Sequence, residues 1–118
     1  MPYGGCIMKK FVVLYYANAD AQEEMKKSTP EDSKKGMEKW YAWSEKCGSA
    51  LVDLGAPLGN AHQVSSAGSS EQKSEVAGYS VLQAEDLAAA MKLLEDHPHI
   101  TWSDGCSIEV HECLPLPS

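Results

Sequence analysis

The segment His97-Pro98-His99 holds the side chains of this chain best suited to moving a proton. An imidazole titrates close to neutral pH, so a histidine in a cleft can take up a proton or orient an anion. Pro98 keeps His97 extended and leaves both rings near one turn. Asp53, at the end of an expected strand, is the carboxylate that could orient His99 or accept its proton, which makes His99 and Asp53 the catalytic candidates. The competing reading is structural: His99 hydrogen-bonds its own loop, Asp53 satisfies a turn, and His97 is an exposed helix-end residue favouring the dipole. Trp102, in a polar loop near His99, suits the wall of a planar-ligand pocket, and His62 and Tyr79 complete the ligand-binding candidates. Trp40 and Trp43 stand at helical spacing and read as core.

Glu109, His111 and Cys113 share one face of a terminal strand, with Ile108 and Val110 on the other. They could line a cleft between subunits, although solvation at a sheet edge explains them more cheaply. A metal site could draw on His97, His99, Asp104, Cys106 or His111, but their spacing is not distinctive. There is no glycine-rich phosphate loop, no Ser/His/Asp order and no cofactor fingerprint, so neither metal nor cofactor is expected.

Composition narrows the partners. Of the 118 residues, 17 are acidic and 10 basic, for a formal net charge of −7. Nucleic acid and anionic membrane surfaces both demand a basic face, so neither is an expected partner. The cysteines Cys6, Cys47, Cys106 and Cys113 form no C-x-x-C pair, which suits reduced thiols in the cytoplasm. No apolar run approaches the length of a membrane span. Met1 to Ile7 is expected to be a disordered extension, with Met8-Lys9-Lys10 reading as a second start, and residues 8–118 as one domain.

The elements that would position these residues follow from pattern. Phe11 to Tyr16 is β-rich and apolar on both faces, which predicts a central strand. Ala17 to Ser28 is polar, with a short helical turn around Glu23 to Lys27. Thr29 as cap, Pro30 at the first helical position, and Glu31 and Asp32 behind it predict a helix that ends before Gly48. Its inner stripe is Gly36, Met37, Trp40, Trp43, Ser44 and Cys47, with Gly36 permitting close packing. Ala50 to Leu54 reads as a second strand, resumed at His62 to Ser66 after a Gly/Pro bend. Ala67 to Ser74 reads as a mobile turn and Val76 to Ala84 as a third strand. A helix opened by Glu85 and Asp86 ends at Pro98, His99 to Gly105 is a loop, and Cys106 to Cys113 is the last strand.

The order β, α, β, β, α, β predicts an α+β, ferredoxin-like fold: four antiparallel strands with two helices on one face. The other face would carry half of an apolar central strand. Two copies packed sheet to sheet would bury it, so a homodimer through that face is expected.

Several segments, in their order and spacing, resemble the YCII-related family. They are Met8-Lys9-Lys10-Phe11, Ala50-Leu51-Val52-Asp53, Gly55-Ala56-Pro57 and Gly78-Tyr79-Ser80, followed by Ala84-Glu85-Asp86-Leu87, His97-Pro98-His99 and Ser107-Ile108-Glu109-Val110. The similarity spans residues 8–117 and implies a dimeric α/β barrel. Characterised relatives include a dehydrochlorinase acting on a chlorinated aromatic, while most have no established activity. Two departures stand out. Where many relatives carry an Asp-Gly-Pro-Phe turn, this chain has Ser70-Glu71-Gln72-Lys73, and no histidine precedes His62 to supply the dyad that some relatives place soon after the first strand. Three classes of function follow: a small-molecule enzyme with proton-transfer or lyase-like chemistry, a non-catalytic ligand-binding dimer, and an accessory module that docks another protein.

Overall fold

The computed structural model describes residues 8–117, so the expectation for Met1 to Ile7 lies outside the described residues. Strand β1 (Lys9–Ala17) leads into helix α1 (Ala19–Lys26) and the long helix α2 (Pro30–Cys47). Strands β2 (Leu51–Pro57), β3 (His62–Ser65), β4 (Gly68–Glu71) and β5 (Val76–Ala84) follow. Helices α3 (Leu87–Leu93) and α4 (Pro98–Trp102) precede the last strand, β6 (Cys106–Glu112).

Local chemistry accounts for the two helix starts read from sequence. The Thr29 hydroxyl accepts from the Asp32 amide at 3.1 Å, and the Asp32 carboxylate accepts from the Thr29 amide at 3.3 Å. This reciprocal box satisfies two of the three amides that this helix start leaves without partners, Pro30 having none. Asp86 caps α3 by accepting from the Ala89 amide at 2.8 Å.

Strands β2, β5, β1 and β6 form one antiparallel sheet in that order, with β1 central as its apolar sequence requires. Alternation sorts its two faces. Phe11, Val13, Tyr15 and Ala17 are buried, while Val12, Leu14 and Tyr16 are half-buried. The buried set meets Trp43, Cys47, Ala90 and Leu94, so α2 and α3 cover one face and form the core with it. Ala17, Ala21 and Cys106 make a smaller cluster under α1.

Four elements differ from expectation. His62 to Ser65 does not resume β2; with β4 it forms a separate two-stranded sheet in which every residue is exposed. The Gly/Ser-rich stretch read as a turn is thus partly strand, its bend made at Ser66 and Ala67, and Gly68, which opens β4 beyond it, has φ 120°. Residues 19–26 form a full helix capped by Asn18, which accepts from the Ala21 amide at 2.9 Å. Pro98 starts a helix instead of merely ending one. Proline lacks only an amide that the first helical turn leaves unpaired anyway, so it serves as well at a start as after a stop.

Glycines repeat the lesson that context decides. Gly36 packs against nothing: a Cβ there would meet no atom within 4 Å, so its expected close-packing role is overturned, and Met37 is largely exposed. Gly55 sits in the bulged part of β2 with φ 81°, and a Cβ would lie 1.8 Å from the Tyr79 carbonyl oxygen. Only glycine can occupy that bulge.

Candidate functional site

The two sides of the sheet carry two different groups of polar side chains. Beneath the helices, His97 is fully buried, against the expectation of an exposed helix end. It caps α4: the His99 amide donates to His97 Nδ1 at 2.9 Å. Nδ1 is therefore the acceptor, and the neutral ring carries its proton on Nε2, which faces Tyr15 Oη at 3.3 Å. Tyr15 donates on to Ser80 Oγ at 2.7 Å, and Ser80 donates to the Leu54 carbonyl at 2.6 Å. Every hydroxyl in this chain accepts once and donates once. It runs one way, from α4 through β1 and β5 to the edge strand β2, and ends on a backbone carbonyl.

Aromatic rings seal it. The His97 ring centre lies 4.4 Å from that of Trp43 and 4.7 Å from that of Trp40, both edge-on, and Trp43 Nε1 donates to the Leu93 carbonyl at 2.8 Å. Burial, with the neighbouring His99 adding to it, lowers His97 from its usual range to about 3. Burial likewise pushes the Tyr15 phenol up to about 12, opposed by its bond to Ser80. Both groups are neutral over any ordinary pH range. With its buried polar atoms all partnered among the described residues, the cluster ties four elements together and is not placed to exchange protons with a ligand.

His99 is also buried, and its Nε2 donates to the Tyr16 carbonyl at 2.8 Å. Burial lowers it, while backbone hydrogen bonds to Tyr16 and Ser107 pull the other way. Tyr16 and Ser107 face each other across β1 and β6, so His99 pins α4 onto that strand pair. Asp53 lies elsewhere: it opposes Val81 in the register, and its Oδ1 accepts from the Gly55 amide at 2.8 Å, stabilising the bulge. No hydrogen bond joins His99 to Asp53 among the described residues. Trp102 ends α4 with 44% of its surface exposed, and His62 sits in the hairpin with Nδ1 3.0 Å from the Asn60 carbonyl. Tyr79 is half-buried opposite Leu14. Of these five, only His62 lines either of two surface hollows, one of about 320 Å³ between α2 and the α3–α4 turn and one of about 1090 Å³ between α1 and the hairpin.

The uncovered face of the sheet holds the second group. Register places Val12 beside Val81 and His111, and Leu14 beside Tyr79 and Glu109. His111 Nε2 hydrogen-bonds Glu109 Oε1, and Tyr16 Oη donates to the same oxygen at 3.4 Å. Burial, and then the neighbouring Glu109 carboxylate, raise the Tyr16 phenol. A carboxylate that engages one ring nitrogen leaves the other free, the arrangement that orients a histidine as a base. The shared strand face of Glu109 and His111 was legible in the alternation of β6. Their junction with Tyr16 was not, because it depends on the β1–β6 register.

No known family model matches this chain, and no curated protein matches it significantly. Among the described residues, no helix is long and apolar enough to cross a membrane.

Proposed function

We propose that this chain is a YCII-like protein of ferredoxin-like fold that works as a homodimer packed through its uncovered sheet face, binding a small molecule in the cleft between the two sheets for proton-transfer or lyase-like chemistry. The observation that carries this reading is the uncovered face itself. Val12, Leu14, Tyr79 and Val81 form a contiguous apolar stripe there, half-buried and covered by no helix among the described residues. Contiguous apolar surface with polar groups at its margin marks an interface or a ligand groove. A second copy is the occupant that suits it, since one sheet can bury another of the same shape. The order β2-β5-β1-β6, with helices on one side, supports the ferredoxin-like reading.

The ligand site moves from where the sequence pointed. His99 and Asp53 each serve a backbone partner. Polar groups on the face of the apolar stripe instead include Tyr16, Glu109 and His111.

Sedimentation tests the reading. At micromolar concentration the protein is expected to run at twice its 12.8 kDa chain mass. Val81→Asp is expected to yield a monomer with an unchanged far-ultraviolet circular dichroism spectrum. A wild-type protein that sediments as a single chain refutes the dimer and the cleft together.

A further inference from the structure

Resting on the cleft reading, we infer that Tyr16, Glu109 and His111 form an acid–base site that enolises a small keto acid. His111 is the base, Tyr16 the hydrogen-bond donor to the developing oxyanion, and Glu109 the positioning residue. Four observations converge on it. The Glu109 carboxylate holds His111 through Nε2, so Nδ1 is the nitrogen left to take a proton. The Tyr16 hydroxyl reaches the same carboxylate oxygen only loosely, at 3.4 Å, and can turn to a better acceptor. Its phenol is held above its ordinary range, so it keeps its proton and donates. Val12 and Leu14, directly opposite His111 and Glu109, supply an apolar floor for the rest of the ligand.

Charge narrows the ligand class. Lys10 alternates onto the same face as Val12 and Tyr16, and among the described residues it makes no ion pair within 4.0 Å. A carboxylate is the group an ammonium there would hold. Lys10, Tyr16 and Glu109 from β1 and β6, and the exposed thiol of Cys113 just beyond β6, are the titratable groups that face His111.

The step balances without a co-reactant. The C–H bond beside the ligand carbonyl breaks, and its proton goes to His111 Nδ1. Its electron pair forms the carbon–carbon double bond of an enolate, whose oxygen accepts the Tyr16 hydrogen bond. Return of the proton to that carbon, or to one conjugated with it, regenerates a carbonyl compound and neutral His111.

Deuterium washout tests it. Phenylpyruvate in D2O, followed by proton NMR at its methylene, is expected to exchange faster with the full-length protein than in buffer alone. His111→Gln is expected to lower the protein-dependent rate roughly a hundredfold. Tyr16→Phe should lower it less, and Glu109→Gln should lower the saturated exchange rate while leaving the phenylpyruvate concentration at half-saturation unchanged. A Glu109 that serves only the fold would leave the saturated rate in place. Washout at the buffer rate by a protein that sediments as a dimer overturns this inference and leaves the cleft reading standing. So does a rate that His111→Gln does not change. A monomer that exchanges through His111 removes the cleft but keeps the site.

Discussion

His97 shows how far one residue's surroundings can carry it from its ordinary chemistry. Its unfolded pKa is near 6.5, while burial among Tyr15, Trp40 and Trp43 holds it at about 3 in the folded chain. Between those values the unfolded state binds a proton that the folded state refuses, so stability must fall as pH drops through that window. The slope is about 1.4 kcal/mol per pH unit for one such group. Tyr15 acts at the other end. Its folded value of about 12 lies above the unfolded value of 10.0, so the unfolded state loses its proton first and stability falls as pH rises from 10 towards 12. Urea unfolding between pH 3 and 7 is expected to show the acid slope in the wild type. His97→Gln, though less stable at pH 7, should show a flatter one. Equal slopes in the two proteins would mean that His97 is charged or solvated when folded. None of this was legible beforehand, because the tryptophans that bury His97 lie on α2, more than fifty residues away in the chain. A histidine before a proline at a helix end reads locally as exposed.

Elements whose signals are local were readable, and those that depend on partners were not. Thr29, Pro30, Asp32 and Gly48 bound α2 at both ends as the sequence suggests, since capping is settled within four residues. Strand β5, Val76–Ala84, was equally plain from its β-branched and aromatic content. Helix α4 was missed because its cap is His97, a residue outside the usual set of serine, threonine, aspartate and asparagine. The β3–β4 hairpin was missed because His62 to Glu71 buries nothing, so hydrophobic alternation had nothing to report. Glycines expose the same divide. Gly36 and Gly55 look alike in sequence, yet one stands in open space within a helix and the other is wedged against the Tyr79 carbonyl. Gly36→Ala is expected to stabilise the protein by about 1 kcal/mol, the helix-propensity difference with no steric cost. Gly55→Ala must adopt a positive φ and displace β5 backbone, and is expected to cost about 3 kcal/mol or more. Thermal unfolding of the two variants decides it. If both change stability in the same direction, the bulge at β2 is not as tight as the geometry has it.

At the scale of the whole molecule, thickness and charge oppose each other. The shortest principal extent is 20 Å, room among the described residues for one sheet and one helix layer. Covering the sheet's far side with a second copy buries the stripe of Val12, Leu14, Tyr79 and Val81. It also brings together two chains of formal charge −7. Hydrophobic burial does not depend on dilute salt, whereas repulsion between the copies is screened over about 10 Å at 0.1 M ionic strength. A dimer held by this face should therefore melt higher as salt rises from 10 mM to 0.15 M. It should also melt higher as protein concentration rises, because unfolding then competes with association. A tenfold increase in concentration supplies about 1.4 kcal/mol per dimer, which for a particle of this size corresponds to roughly 3 °C in Tm. Val81→Asp removes the interface and should abolish the concentration dependence while leaving a single cooperative transition. Calorimetry on wild type and variant over two decades of concentration separates these outcomes. A wild-type Tm that does not move with concentration at either salt level would mean that the apolar face is stable against water on its own, and that no second copy covers it.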